Sequence, residues 1–277
     1  MARLNIGFMR DIGTAKWAYR TFLRQFSKRI LRRDNLLLLP TGLEIRLPRN
    51  NHFGSEVFVT NADVDWGAEA LFVRFLDPTG AFLDVGSHIG YYSLYVLPKV
   101  AHVYAFEPDP RNLPILESNL GRYANATIVK KAVSSTNGSA RFVLQSESAI
   151  SHLHRCGENP GELIQVETVT LDSFTDQMKW KVTGIKIDVE GFDLDVLKGA
   201  AKLMLRDSPL VLTEAQTSAE LYDLVARNNY SIYAFTRDPN TRRVALQRVG
   251  SNAVSLTKML FLVPGRLKRD FDAIARS

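Results

Sequence analysis

Residues 82–94 read Phe82-Leu83-Asp84-Val85-Gly86-Ser87-His88-Ile89-Gly90-Tyr91-Tyr92-Ser93-Leu94, and Val103-Tyr104-Ala105-Phe106-Glu107-Pro108 follows shortly after. An apolar run closes on an acid, a glycine-bearing turn comes next, and a helix-like segment opens. A second apolar run then closes on Glu107. This is the order of a nucleoside site in an α/β sheet: a tight first βα turn, then an acid at the end of the next strand to accept from ribose hydroxyls. The spacing Asp-x-Gly-x-x-x-Gly is not the Gly-x-Gly-x-x-Gly of a pyrophosphate-bearing dinucleotide, which disfavours an NAD-dependent oxidoreductase. It points to S-adenosylmethionine, which has an aminoacyl end and a ribose but no pyrophosphate.

In this reading Asp84 ends the first strand and Gly86 turns the backbone. Ser87 and His88 complete the turn, and Gly90 starts the next helix close to the sheet. The helix N-terminus offers free N–H groups to the methionine carboxylate. The plainer alternative is a generic βα turn, with Glu107 a helix N-terminal acid favoured by the macrodipole. Their pairing in sequence favours the cofactor.

Beyond this stretch strands and helices alternate. Strands are predicted at 81–85, 102–106, 126–132, 183–189, 210–214, 231–235 and 258–263, and helices at 90–97, 110–120, 193–206 and 218–227. Such alternation predicts a doubly wound, mostly parallel sheet with helices on both faces. The rhythm breaks between 133 and 170, where 140–145 and 163–169 read as strands around a polar loop, Ser146–Gly161, near the expected ligand face.

A second constellation lies at Ile185-Lys186-Ile187-Asp188-Val189-Glu190-Gly191-Phe192-Asp193 and runs on to Gly199-Ala200. A strand persisting through 190 would point Asp188 and Glu190 to one face at the carboxyl edge, where ligands bind in open α/β sheets. The two acids could offset a sulfonium charge, position or deprotonate an acceptor hydroxyl, or ligate a divalent cation. The plainer reading is that they cap the next helix. In the loop, neutral histidine is an apt base near pH 7. His152 is therefore a candidate catalytic residue, with His154 and Glu158 nearby. No third ligand is identifiable by spacing, so no metal site is assigned. Cys156 is the only cysteine, so no intramolecular disulfide forms. It is not expected to be a nucleophile, since methyl transfer needs no covalent enzyme intermediate.

These blocks, with Phe106-Glu107-Pro108 between them and Lys131-Ala132-Val133-Ser134 after the third strand, resemble the FkbM-type class I methyltransferases over roughly residues 80–265. The resemblance implies a Rossmann-like, seven-stranded sheet and an S-adenosyl-L-methionine-dependent O-methyltransferase acting on a hydroxyl of a sugar, glycolipid or secondary metabolite. It implies cofactor contacts from Asp84, Gly86, Ser87, His88, Gly90, Glu107, Ala132 and Asp188, with Asp188 and Glu190 on the acceptor side; His152 joins them as a candidate from the loop alone. Three positions depart from the family pattern: His88 stands where Asn is usual, Asp193 where Glu is frequent, and Thr213-Glu214 ends its strand in altered form. An N-methyltransferase on nucleic acid or protein is the alternative. It is disfavoured because an Asn/Asp-Pro-Pro-Tyr/Phe block is replaced here by Asp188-Val189-Glu190-Gly191. A non-enzymatic, membrane-associated protein on a degenerate fold is a further alternative, opposed by retention of both sets of acids.

The chain has 277 residues, 45% of them hydrophobic, and a formal net charge of +6. Residues 1–34 hold nine Lys/Arg against two acids, while the rest holds 26 against 27. The basic character is therefore local, which argues against nucleic acid as a partner. Residues 14–33 read as an amphipathic helix: Ala18, Phe22, Phe26 and Ile30 recur every four residues, and Lys16, Arg20, Arg24 and Lys28 do so on the opposite face. Two readings stand: a helix lying on an anionic membrane surface, or one packed on the domain with a solvated basic face. No apolar run reaches the roughly 20 residues of a membrane span. With no secretory signal pattern, a cytoplasmic protein is expected. The predicted division is a basic helix at 1–35, an extension at 36–78, a methyltransferase domain at 79–265 and a basic tail at 266–277. The sequence fixes no oligomeric state.

Overall fold

The computed structural model describes residues 9, 11–145, 151–154, 162–238, 241, 243–250 and 256–276. The chain divides into two compact units, Met1–Val64 and Asp65–Ser277.

The smaller unit holds a helix, Thr14–Arg29, a hairpin of strands β1 (Asn35–Leu38) and β2 (Glu44–Leu47), and a helix, His52–Thr60. The hairpin alternates as the sequence suggests, with Ile45 and Leu47 buried and Glu44 and Arg46 outside. The Asn51 side chain caps the second helix by accepting from the Gly54 N–H at 2.6 Å. The first helix departs from expectation. Arg24 is fully buried, while Phe22 and Ile30 are exposed. Its guanidinium donates to Ser55 Oγ, Asn35 Oδ1 and the Leu47 and Pro48 carbonyls at 2.6–3.3 Å. Burial draws its pKa down to about 10, so it stays charged. Arg20, Arg24 and Lys28 of the basic face thus turn inward instead of being solvated, while Lys16 stays exposed: hydrogen bonds to carbonyls compensate the buried Arg24 charge.

The larger unit is built on strands β3 (Ala81–Val85), β4 (His102–Phe106), β5 (Ala126–Val129), β6 (Ala132–Val133), β7 (Gly138–Leu144), β8 (His152–Leu153), β9 (Glu162–Val169), β10 (Val182–Ile187), β11 (Leu210–Thr213), β12 (Tyr230–Arg237), β13 (Val244–Arg248) and β14 (Leu256–Pro264). Eight form one sheet in the order β13-β12-β14-β11-β10-β3-β4-β5. The pairs from β11 through β10, β3 and β4 to β5 are parallel; β14 is antiparallel to both neighbours. Without β13 the order is that of the class I methyltransferase fold, third-second-first-fourth-fifth-seventh-sixth. The expected seven strands become eight because Val244–Arg248 adds an edge strand on which only Leu246 is buried, too weak a pattern to read from sequence.

β3 and β10 are buried along their whole length, as central parallel strands covered on both faces must be. Leu83, Val85, Ile185, Ile187, Val196, Leu197, Leu203 and Leu262 are among the residues of one core cluster. Each such side chain contributes about 1.5–3 kcal/mol by leaving water. A second, four-stranded sheet, β6-β9-β7-β8, closes a small core of Ala132, Phe142, Leu144, Leu153 and Val166. Within the predicted loop, His152–Leu153 is a strand paired with Phe142 and Val143; Cys156 and Glu158 lie outside the described residues.

Helix Ala68–Arg74 belongs to the larger unit, with Phe72 edge-on to Phe82 and, with Leu76, against Gly184 of β10. The predicted tail is a helix, Lys268–Ala275. Its Phe271 is fully buried among Phe75, Tyr233 and Phe261. The helix expected at 193–206 is two, Asp193–Lys198 and Ala201–Asp207. No described helix is long and apolar enough to cross a membrane.

Candidate active site

The carboxyl ends of the central strands stand level: Val85 pairs with Phe106 on one side and Ile187 on the other, and Ile187 with Thr213. The turn after β3 is latched to β4, because the Gly86 and Ser87 N–H groups both donate to the Phe106 carbonyl at 3.1 and 3.0 Å. Gly86 has a left-handed backbone, φ +78°, and a Cβ there would collide with the Asp188 carbonyl oxygen. Only glycine allows β3 and β10 to release their chains this close together. His88 is also left-handed, φ +50°, a conformation for which Asn and His are enriched among non-glycine residues. The Asn-to-His departure is conformationally mild. Burial holds its imidazole near 4, so the ring is neutral.

Glu107 ends β4 with its carboxylate buried. Oε2 accepts from the His88 N–H at 2.7 Å and Oε1 from the Asp109 N–H at 2.8 Å. Burial pushes its pKa up to about 7 against these bonds and one from Asn112. A carboxylate offers about four lone-pair positions, so acceptor capacity remains for a diol. Asp109 is ion-paired to Arg111 at 2.6 Å, and Arg111 donates to the Gln145 carbonyl and to Ser151 Oγ. The acid at the end of β4 is thereby linked to both sides of the 146–150 segment.

Asp84 is fully buried. Oδ2 accepts from Ser93 Oγ at 2.6 Å, and Oδ1 has no hydrogen-bond partner among the described residues. Burial raises its pKa. Directly across the strand pair stands Lys186, whose ammonium is 2.9 Å from Asp188 Oδ2, 3.4 Å from the Gly86 carbonyl oxygen and 5.3 Å from the Tyr92 ring centre. Burial opposes its charge, but Asp188, Asp84 and Glu214 overcome burial and hold its pKa above the ordinary range.

Asp188 and Glu190 do not extend the strand. β10 ends at Ile187, and Glu190 and Gly191 are left-handed at φ +50° and +86°. The chain turns instead of keeping a two-residue alternation, so the pleat does not place the two carboxylates on one face. Asp188 is fixed by Lys186, whereas Glu190 is exposed. Partial burial, then the negative Asp188 and Asp193, raise the Glu190 pKa. Its left-handed conformation carries a cost of order 1–3 kcal/mol for a non-glycine residue. His152 on β8 stacks on Phe192 at 6.4 Å and acts electrostatically on Glu190. Glu214, after β11, opens to solvent; confinement by surrounding protein, then Asp188, raises its pKa. Ala132 lies elsewhere in character. It pairs with Thr168 on the smaller sheet and its methyl is buried in that core. His154 donates its backbone N–H to the Arg141 carbonyl.

Three participants carry no role in the sequence reading. Lys186 was legible in principle, because a charge inside Ile185-Lys186-Ile187 must find a partner when buried. Asp65 was not, since it precedes the assumed domain; its Oδ2 accepts from Tyr92 Oη at 2.6 Å, and it interacts with Lys186 and Asp188. Arg111 forms its links through residues distant in sequence. Among the described residues no three His, Cys, Asp or Glu are arranged to hold a metal ion.

A family profile, the methyltransferase FkbM domain, matches residues 84–236. The chain belongs to the FkbM methyltransferase family. The hexuronic acid methyltransferase AglP of Haloferax volcanii is 28% identical over 158 residues, 51% of this chain and 64% of that protein. Ribosomal RNA small subunit methyltransferase A of Bacillus cytotoxicus is 30% identical over 106 residues, 38% of this chain and 34% of that one. The chain thus spans less than two thirds of either relative. A crystal structure of methyltransferase FkbM from Methylobacillus flagellatus aligns at TM-score 0.44 and 18% identity, covering 75% of this chain and 52% of that one.

Proposed function

We propose that this FkbM methyltransferase transfers a methyl group to a hydroxyl of an acidic sugar or glycan. When bound, S-adenosyl-L-methionine supplies a methyl group made electrophilic by its sulfonium. The orphaned Asp84 Oδ1 fits the donor's ammonium group. Glu107 fits the ribose diol, and the Gly86–Gly90 turn leaves room at the helix N-terminus for the carboxylate. Lys186 fixes Asp188 at the edge of the cleft. Glu190 receives the acceptor's proton: an alcohol needs a base near its operating pH, and a raised carboxylate meets that need. Glu214 is the neighbouring acid with the same property, and His152 orients Glu190 from β8.

The observation that carries the reading is the level row of strand ends, with Asp84 and Glu107 on the donor side and Asp188, Glu190 and Glu214 on the other. The hexuronic acid named for the Haloferax volcanii relative supports the acidic-sugar acceptor.

The test is transfer of labelled methyl from the donor to a panel of uronic-acid glycosides, neutral glycosides and ribosomal RNA. Label in the acidic glycosides, reduced roughly 100-fold or more by Glu190→Gln with donor affinity kept, supports the proposal. Label in RNA alone overturns it.

A further inference from the structure

Nine large hydrophobic side chains are exposed among the described residues, and seven of them lie between Tyr19 and Leu38. Four form one stripe along helix Thr14–Arg29 and its end: Tyr19 (64% exposed), Phe22 (63%), Phe26 (40%) and Ile30 (67%). Their spacing of three, four and four residues keeps them on one face, a strip about 16 Å long at 1.5 Å per residue. Phe22 and Phe26 stack at 6.0 Å. The opposite face is occupied within its own unit. Arg20 donates to the Phe58 carbonyl at 2.7 Å, Arg24 makes the four bonds described above, and Lys28 reaches Ser55 Oγ at 3.3 Å. A helix that turns Arg20 and Arg24 inward and leaves Tyr19, Phe22 and Phe26 outside is oriented for an apolar medium on its outer side.

Charge identifies the medium. Residues 14–33 contain no acid, and Lys16, Arg29, Arg32 and Arg33 are exposed around the stripe. We propose that this stripe is a docking surface for an anionic lipid bilayer, with the rings in the interface and the four exposed cations at the headgroups. Cations beside an inserted apolar helix face match anionic headgroups. A second copy of the chain would bring the same positive rims together, which opposes self-association. The proposal uses none of the residues assigned to methyl transfer, so it stands apart from the functional one.

The test is co-sedimentation of the full chain with vesicles of phosphatidylcholine alone and of phosphatidylcholine mixed with phosphatidylglycerol. The expected result is binding to the mixed vesicles only. It should weaken roughly tenfold or more in a Phe22→Ser, Phe26→Ser double variant as two rings leave the interface. An Arg32→Glu, Arg33→Glu variant should weaken it as well. Unchanged melting temperature and S-adenosylhomocysteine affinity in both variants exclude loss of folding as the cause. The proposal is overturned by absence of binding to either vesicle, by binding that survives both variants, or by a wild-type dimer in light scattering that the phenylalanine substitutions dissolve.

Discussion

At the scale of single residues, buried charge organises the site. Lys186 and Asp84 face each other across β3 and β10, and Asp188 meets the same ammonium. Replacing Lys186 by Met would leave buried carboxylates without their cation, at a cost of roughly 3–5 kcal/mol, to be read by urea unfolding. Glu107 sets a pH dependence. Its pKa is raised to about 7 by burial, and only its ionised form accepts two hydroxyl hydrogens. Donor affinity should therefore be full above pH 7 and fall as pH drops through 7, by up to about tenfold per unit. Calorimetry with S-adenosylhomocysteine across pH 5.5–8 checks this; a flat profile would separate Glu107 from the donor. Much of this was legible: Asp84, Gly86 and Glu107 stand at the predicted strand ends because an acid closing an apolar run has few other places to go. Asp65 and Arg111 were not, since their partners are set by tertiary packing. Two departures from the family pattern prove to be one feature, as Thr213 Oγ1 donates to Asp193 Oδ1 at 2.8 Å.

At the scale of elements, periodicity located the segments and misjudged how two of them sit. The four-residue recurrence in residues 14–33 defines two faces but does not say which is buried, and hydrogen bonds to the Leu47 and Pro48 carbonyls decide for the basic one. The strand-end acids were placed by assuming that β10 continues, whereas Glu190 and Gly191 turn the chain. The long helix expected at 193–206 breaks at Gly199, where a Cβ would strike the Ser134 carbonyl oxygen. Gly199→Ala should therefore destabilise the protein by about 1–3 kcal/mol, despite the better helix propensity of alanine. A denaturation midpoint that stays or rises would show that the contact is soft.

At the scale of the whole molecule, the larger unit keeps the strand order of class I methyltransferases, adds β13 at an edge and inserts a four-stranded sheet between β5 and β10. The regular alternation of strands and helices carried that order into the sequence, and the runs 140–145 and 163–169 announced β7 and β9 of the smaller sheet, whereas β13, with only Leu246 buried, had no apolar run to announce it. Outside residues 1–34 the chain holds 26 basic and 27 acidic residues, so RNA should bind weakly at physiological salt, and a filter-binding titration checks this.

The central claim is that Asp84, the Gly86–Gly90 turn and Glu107 form the donor site, and calorimetric titration of the full chain with S-adenosylhomocysteine tests it most directly. The account predicts saturable one-to-one binding, weakened at least about tenfold by Glu107→Gln, since a hydrogen bond to a charged group contributes about 1.5–3 kcal/mol. Absence of binding to the wild-type chain, or equal affinity in the variant, would contradict it.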